Sequence, residues 1–173
     1  MFQALKRRVG DMATIRALCL AAEAHAHKDS QREPGAEHFL LAAFDLPDGT
    51  ARRALQRVGA APEQFEAAIA EQYSNALSAI GLTIDLDLEP EAPGPAGGAY
   101  QAAPSGAEIM QKLAAHRPVG GPPLVGADVV AVVATLPRGV SARALRAMDV
   151  DLEALRLAAI EESGAACSGS KPN

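Results

Sequence analysis

Tryptophan is absent from these 173 residues and aromatic side chains amount to only 3%, so any interior must be built mostly from Ala, Leu, Val and Ile. Interiors of such small residues favour closely packed helices. Cysteine is nearly missing as well. Cys19 falls in an apolar helical stretch, where a free thiol behaves as a small buried hydrophobe, and Cys167 lies in a Gly/Ser-rich tail. Two cysteines so placed exclude a disulfide scaffold and fit a reducing compartment. No apolar run approaches the roughly 18 residues that cross a bilayer, and "MFQALKRRVG" carries no apolar segment behind its basic residues. A soluble, cytoplasmic protein without a membrane partner is expected. Basic residues are outnumbered, 16 against 21, leaving a net charge of −5 and a pI near 5.4. That balance argues against a nucleic-acid partner, which needs clustered Lys and Arg to displace phosphate counterions. Lys6-Arg7-Arg8 and Arg52-Arg53 are short runs that solvated helix faces explain.

What is present is helical periodicity. The length suits one domain, or two small halves sharing a core. Asp11 is a plausible N-cap for a first helix, "DMATIRALCLAAEAHAHK", with Ile15, Leu18, Cys19 and Ala22 at helical spacing. "GAEHFLLAAFDL" predicts a short apolar second helix, broken at Pro47-Asp48-Gly49. "TARRALQRVG" predicts a third, with Ala51, Ala54, Leu55 and Val58 inward and Gly59 as its C-terminal cap. "APEQFEAAIAEQYSNALSAIG" predicts a fourth, opened by Pro62, with Phe65, Ile69 and Tyr73 along one side.

Residues 81–104 change character, carrying four acids, no base and much Pro and Gly. They read as a linker. Its first part, "LTIDLDLE", alternates apolar and polar residues, as an arm laid on the helices or an edge offered to a partner strand would. Beyond it the first half recurs: "DLPDGTARRALQRVGAAPEQF" (45–65) lies over "TLPRGVSARALRAMDVDLEAL" (135–155) at a shift of 90. Upstream, "GAEHFLL" lies over "GADVVAV" at a shift of 91, which implies one residue lost between them. The expected fold is all-α: a duplicated four-helix repeat of about eight helices, packed with pseudo-twofold symmetry. Repeat 1 covers 11–80, the linker 81–104 and repeat 2 105–163, forming one domain over 1–163 with a flexible tail at 164–173.

The ordered set "LAAEA" (20–24), "GAEHFLLAAF" (35–44) and "DGTARRALQRVG" (48–59), echoed by "LVGAD" (124–128), "GVSARAL" (139–145) and "VDLEALR" (150–156), resembles the Clp amino-terminal domain. That double repeat heads ClpA- and ClpC-type unfoldases. The resemblance implies a non-catalytic module, without cofactor or metal, that receives substrates and adaptor proteins for a Clp ATPase and protease. In ClpC-type members each repeat can hold a phosphorylated arginine, and antibacterial cyclic peptides also bind. These 173 residues contain no G-x-x-x-x-G-K-[ST] phosphate loop, so the chain looks like the stand-alone members that lack the motor. Within that class an adaptor, a decoy sequestering Clp-directed ligands, or a regulatory interaction domain unrelated to proteolysis are the alternatives.

By the same resemblance Glu37 matches the glutamate that meets a phosphoarginine guanidinium, with His38 beside it and Asp128 as the counterpart in the second repeat. A carboxylate can accept two N–H bonds from a guanidinium, while backbone N–H groups at a helix start take phosphate. An acid in a first helical turn is also favoured by the macrodipole alone. Ala36 and Ala127 stand where the family has Thr, and Val129 follows Asp128 where His38 follows Glu37. Pro118, Pro122 and Pro123 should interrupt the helix before the second site. His38 could otherwise serve a metal or a Cys19 nucleophile. However, His25, His27 and His116 lie in other segments, and nothing obvious activates Cys19.

Overall fold

The computed structural model describes residues 2–79, 100–115 and 122–168, and every regular element among them is helical. The helices are α1 (Phe2–Lys28), α2 (Ala36–Asp45), α3 (Thr50–Arg57), α4 (Pro62–Ala79), α5 (Pro104–Ala115), α6 (Gly126–Val133), α7 (Val140–Ala147) and α8 (Leu152–Ser168). The alternating stretch 82–89, with most of the 81–104 linker, His116 and Pro118, lies outside the described residues.

The periodicity places α2, α3 and α4 to within a residue or two. Two boundaries differ. Asp11 does not begin the first helix: "FQALKRRVG" is composed largely of good helix formers and carries α1 back to Phe2. The Asp11 carboxylate instead reaches across the molecule, where its Oδ1 accepts the backbone N–H of Leu124 at 2.9 Å. At the other end α8 continues to Ser168, four residues past the expected start of the tail at 164.

The core is centred on α2 and α6. Ala36 to Phe44 of α2 are all buried, as are Ala127, Val129, Val130, Val132 and Val133 of α6. An element apolar on every face must be surrounded, and α1 covers one side of α2 while α5 spans both central helices. Small residues allow the close approach. A Cβ on Gly126 would lie 2.9 Å from the Ala43 carbonyl oxygen and 3.0 Å from the Ala51 Cβ, so α2, α3 and α6 meet almost backbone to backbone. The few aromatics fill the wider gaps: Phe44 and Phe65 meet edge to face at 6.1 Å, and Phe39 meets Tyr100 at 6.5 Å.

The third and fourth helices find partners in the other half of the chain. α3 lies against α8, and α4 against α7. Residues ninety apart then play corresponding parts. Arg53 Nε donates to Glu162 Oε2 at 2.7 Å, and Arg143 Nε donates to Gln72 Oε1 at 3.2 Å. Gly59 and Asp149, both at positive φ of 78° and 57°, close the turns after α3 and α7.

Candidate functional site

Glu37 and His38 occupy the first turn of α2. The Gly35 backbone N–H donates to His38 Nδ1 at 2.9 Å, so the ring acts as a capping acceptor three residues into the helix. With its Nδ1 lone pair engaged, the ring carries its proton on Nε2, which donates to Asp29 Oδ2 at 3.2 Å. His38 is wholly buried and both ring nitrogens are taken, which leaves none for a metal or for general-base work. Cys19 is half-buried and burial raises its thiol pKa, the opposite of what activates a nucleophile. Among the described residues no three His, Cys, Asp or Glu side chains gather into a metal-binding group.

The neighbouring Glu37 is treated differently. Its side chain folds back over Gly35, where an added Cβ would sit 2.5 Å from Oε1, so only glycine leaves room for the carboxylate. Tyr73, from α4, donates its hydroxyl to that same Oε1 at 2.7 Å. Burial, then the Glu37 charge and this hydrogen bond, push the Tyr73 phenol pKa well above its ordinary value, so it remains a donor. Glu37 is only 6% exposed, yet among the described residues its Oε2 accepts nothing. That oxygen is reached by solvent rather than orphaned, since Ser141 Oγ is the only buried side-chain polar atom without a partner among the described residues. The adjacent Ala36 N–H is already spent, donating to Ser105 Oγ of α5 at 3.2 Å.

Asp128 stands at the start of α6, but its geometry is that of His38. The Val125 N–H donates to Asp128 Oδ2 at 3.0 Å, the same three-residue cap that Gly35 makes with His38. Residues ninety apart thus make the same bond at the starts of α2 and α6, where the cap accepts either an imidazole nitrogen or a carboxylate oxygen.

Unlike Glu37, Asp128 is fully used, because its Oδ1 accepts the Ser163 hydroxyl at 2.6 Å. The rest of the α6 terminus is closed from within. Asp48, in the turn before α3, accepts the Gly126 N–H at 3.1 Å, and Thr50 Oγ1 accepts the Ala127 N–H at 2.7 Å. An internal carboxylate thus occupies the place at this helix N-terminus where an anionic ligand would lie.

The Glu37 and Asp128 sites share none of these partners. Tyr73, Asp29, Ser105, Asp48, Thr50 and Ser163 complete them, and of these only Tyr73 stood out in the sequence, as part of an inward stripe. Ser163 lies ninety residues from Tyr73, the same separation as Arg53 and Arg143. No family model and no curated protein matches the chain.

Proposed function

We propose that this chain is a non-catalytic protein- or peptide-binding module of the Clp amino-terminal type, which holds substrates, adaptors or small ligands of a Clp ATPase and protease. The observation that carries the reading is the ninety-residue correspondence of bonds between halves: Arg53 to Glu162 with Arg143 to Gln72, and Gly35 to His38 with Val125 to Asp128. It supports a duplicated four-helix repeat about a pseudo-twofold axis. Within that module Glu37 is the ligand residue, because its Oε2, which keeps contact with solvent, can still accept from a guanidinium. His38 and Asp128 serve as caps.

The ligand class is an arginine or phosphoarginine side chain on a peptide. Calorimetric titration with a phosphoarginine peptide should give measurable heat with the native chain and none with Glu37→Ala. Equal heats, or none with either, would remove Glu37 as the ligand residue. Affinity purification from the native cell should recover a Clp ATPase subunit if the module is an adaptor, and its Clp-directed ligands without the ATPase if it is a decoy. Recovery of neither refutes the Clp connection.

A further inference from the structure

We infer that the second half of α4, residues 70–79, is a detachable strap that governs access to Glu37. The inference rests on Glu37 being a ligand residue, and it concerns how a ligand reaches both oxygens of a carboxylate whose Oε1 is held by Tyr73.

The two corresponding seams are unequally fastened. On the α3–α8 seam, Glu162 is 5% exposed and receives Arg53 Nε and Arg57 Nε, each at 2.7 Å, while Arg57 Nη1 also reaches Glu161 at 2.7 Å. On the α4–α7 seam, Gln72 stands where Glu162 stands, and Ala147 takes the place of Arg57. What remains is the single 3.2 Å bond from Arg143 to a neutral amide, exposed to solvent. Charge-assisted bonds to a buried carboxylate are roughly twice as strong as bonds between neutral groups.

Packing is unequal too. Phe65, Ala68 and Ile69 are the buried residues of α4, and none from Ala70 to Ala79 is buried. In α8 burial continues through Ala158 and Ala159 to Glu162. A helix segment with few buried apolar contacts and exposed backbone bonds belongs to the low-stability end of local opening. What ties the strap down is Tyr73, packed against the core and bonded to Glu37. Release of the strap therefore removes the hydroxyl from Oε1 and leaves both carboxylate oxygens open to a cationic ligand in one motion.

The geometry supplies its own control. Residues 70–76 of α4 and 160–166 of α8 lie at similar distances from their helix ends, and the α8 stretch contains Gly164, a poor helix former. Propensity alone would make α8 the faster to exchange. Native-state hydrogen exchange should instead show 70–76 exchanging about tenfold faster than 160–166, and Gln72→Glu, which pairs a carboxylate with Arg143, should slow 70–76 by about twofold to fivefold. Carbodiimide coupling of glycine ethyl ester to Glu37, followed by mass spectrometry, should be slow in the native chain, faster in Tyr73→Phe and slower still in Gln72→Glu.

Equal or slower exchange in α4 overturns the strap, as does Glu37 labelling that neither variant changes. Neither readout involves a ligand. Failure of the calorimetric titration would remove the ligand reading of Glu37 and leave these results standing.

Discussion

Asp48→Ala tests how strongly the turn before α3 is tied to the start of α6. Asp48 Oδ1 accepts the Thr50 N–H at 2.8 Å and the Thr50 hydroxyl at 2.5 Å, while Oδ2 accepts the Gly126 N–H at 3.1 Å. Thr50 is 1% exposed and in turn accepts the Ala127 N–H, so one carboxylate organises two helix starts and a buried hydroxyl. Losing a cap costs about 1 kcal/mol, here at two helices, and a buried donor left unsatisfied adds about 1–3 kcal/mol. Part of that last cost is recovered, because Asp48 is only partly buried and water can replace it. The expected loss is about 2–4 kcal/mol, a large share of the roughly 5–15 kcal/mol that holds a domain folded. At about 2–4 °C per kcal/mol for a chain of this size, Tm should fall by roughly 5–15 °C. Urea denaturation followed by far-UV circular dichroism reads the free energy, and a thermal scan reads Tm. Arg138 stands ninety residues on, with no corresponding carboxylate role, so Arg138→Ala should change stability by no more than about 0.5 kcal/mol. A loss below about 1 kcal/mol for Asp48→Ala, or equal losses for both variants, would refute the two-helix cap.

Other substitutions probe separate contacts. His38→Ala leaves the Gly35 N–H without its acceptor and a cavity at a fully buried site, so denaturant unfolding should show a loss of about 2–4 kcal/mol. Glu162 is held below the usual carboxylate range by the Arg53 hydrogen bond, against the effect of burial, with Arg57 adding to the lowering. Because its folded pKa is depressed, its contribution is present above the unfolded carboxylate value of about 4.3 and is lost as pH falls through the folded one. Midpoints measured from pH 7 to 2 should fall less steeply in Glu162→Gln, and a parallel profile would contradict the pairing. Gly106→Ala would bring a Cβ within 2.3 Å of the Pro34 carbonyl oxygen and 3.0 Å of the Phe39 ring, lowering stability by about 1–3 kcal/mol by the same assay. Gly10→Ala, in α1 with open space around it, should raise stability by up to about 1 kcal/mol.

The sequence made some features legible and hid others for a physical reason. Apolar spacing within one helix is local, and it located α2, α3 and α4 with their inward residues: Ala51, Ala54, Leu55, Phe65 and Ile69 are buried. Val58 is half-buried against the core. Capping across the molecule is not local. Asp11 resembles an N-cap because its residue type favours that position, yet its carboxylate caps a segment 113 residues away. Asp48 reads as an ordinary turn acid until Gly126, 78 residues on, comes to lie beside it. At the α2 and α6 starts His38 and Asp128 perform one task with different chemistry, which residue type alone does not reveal.

The exchange of partners between halves has a consequence for the order of folding. α3 is complete at residue 57, but the Glu162 that receives Arg53 lies 109 positions later in the chain. Contacts of such separation slow folding, because loop closure must precede the reward. During synthesis at roughly 5–20 residues per second, α3 would wait about 5–20 seconds for α8 to emerge. The first half therefore leaves the ribosome with an unsatisfied apolar seam, an interval in which a chaperone can engage it. Two separately expressed halves should be poorly structured alone and assemble when mixed.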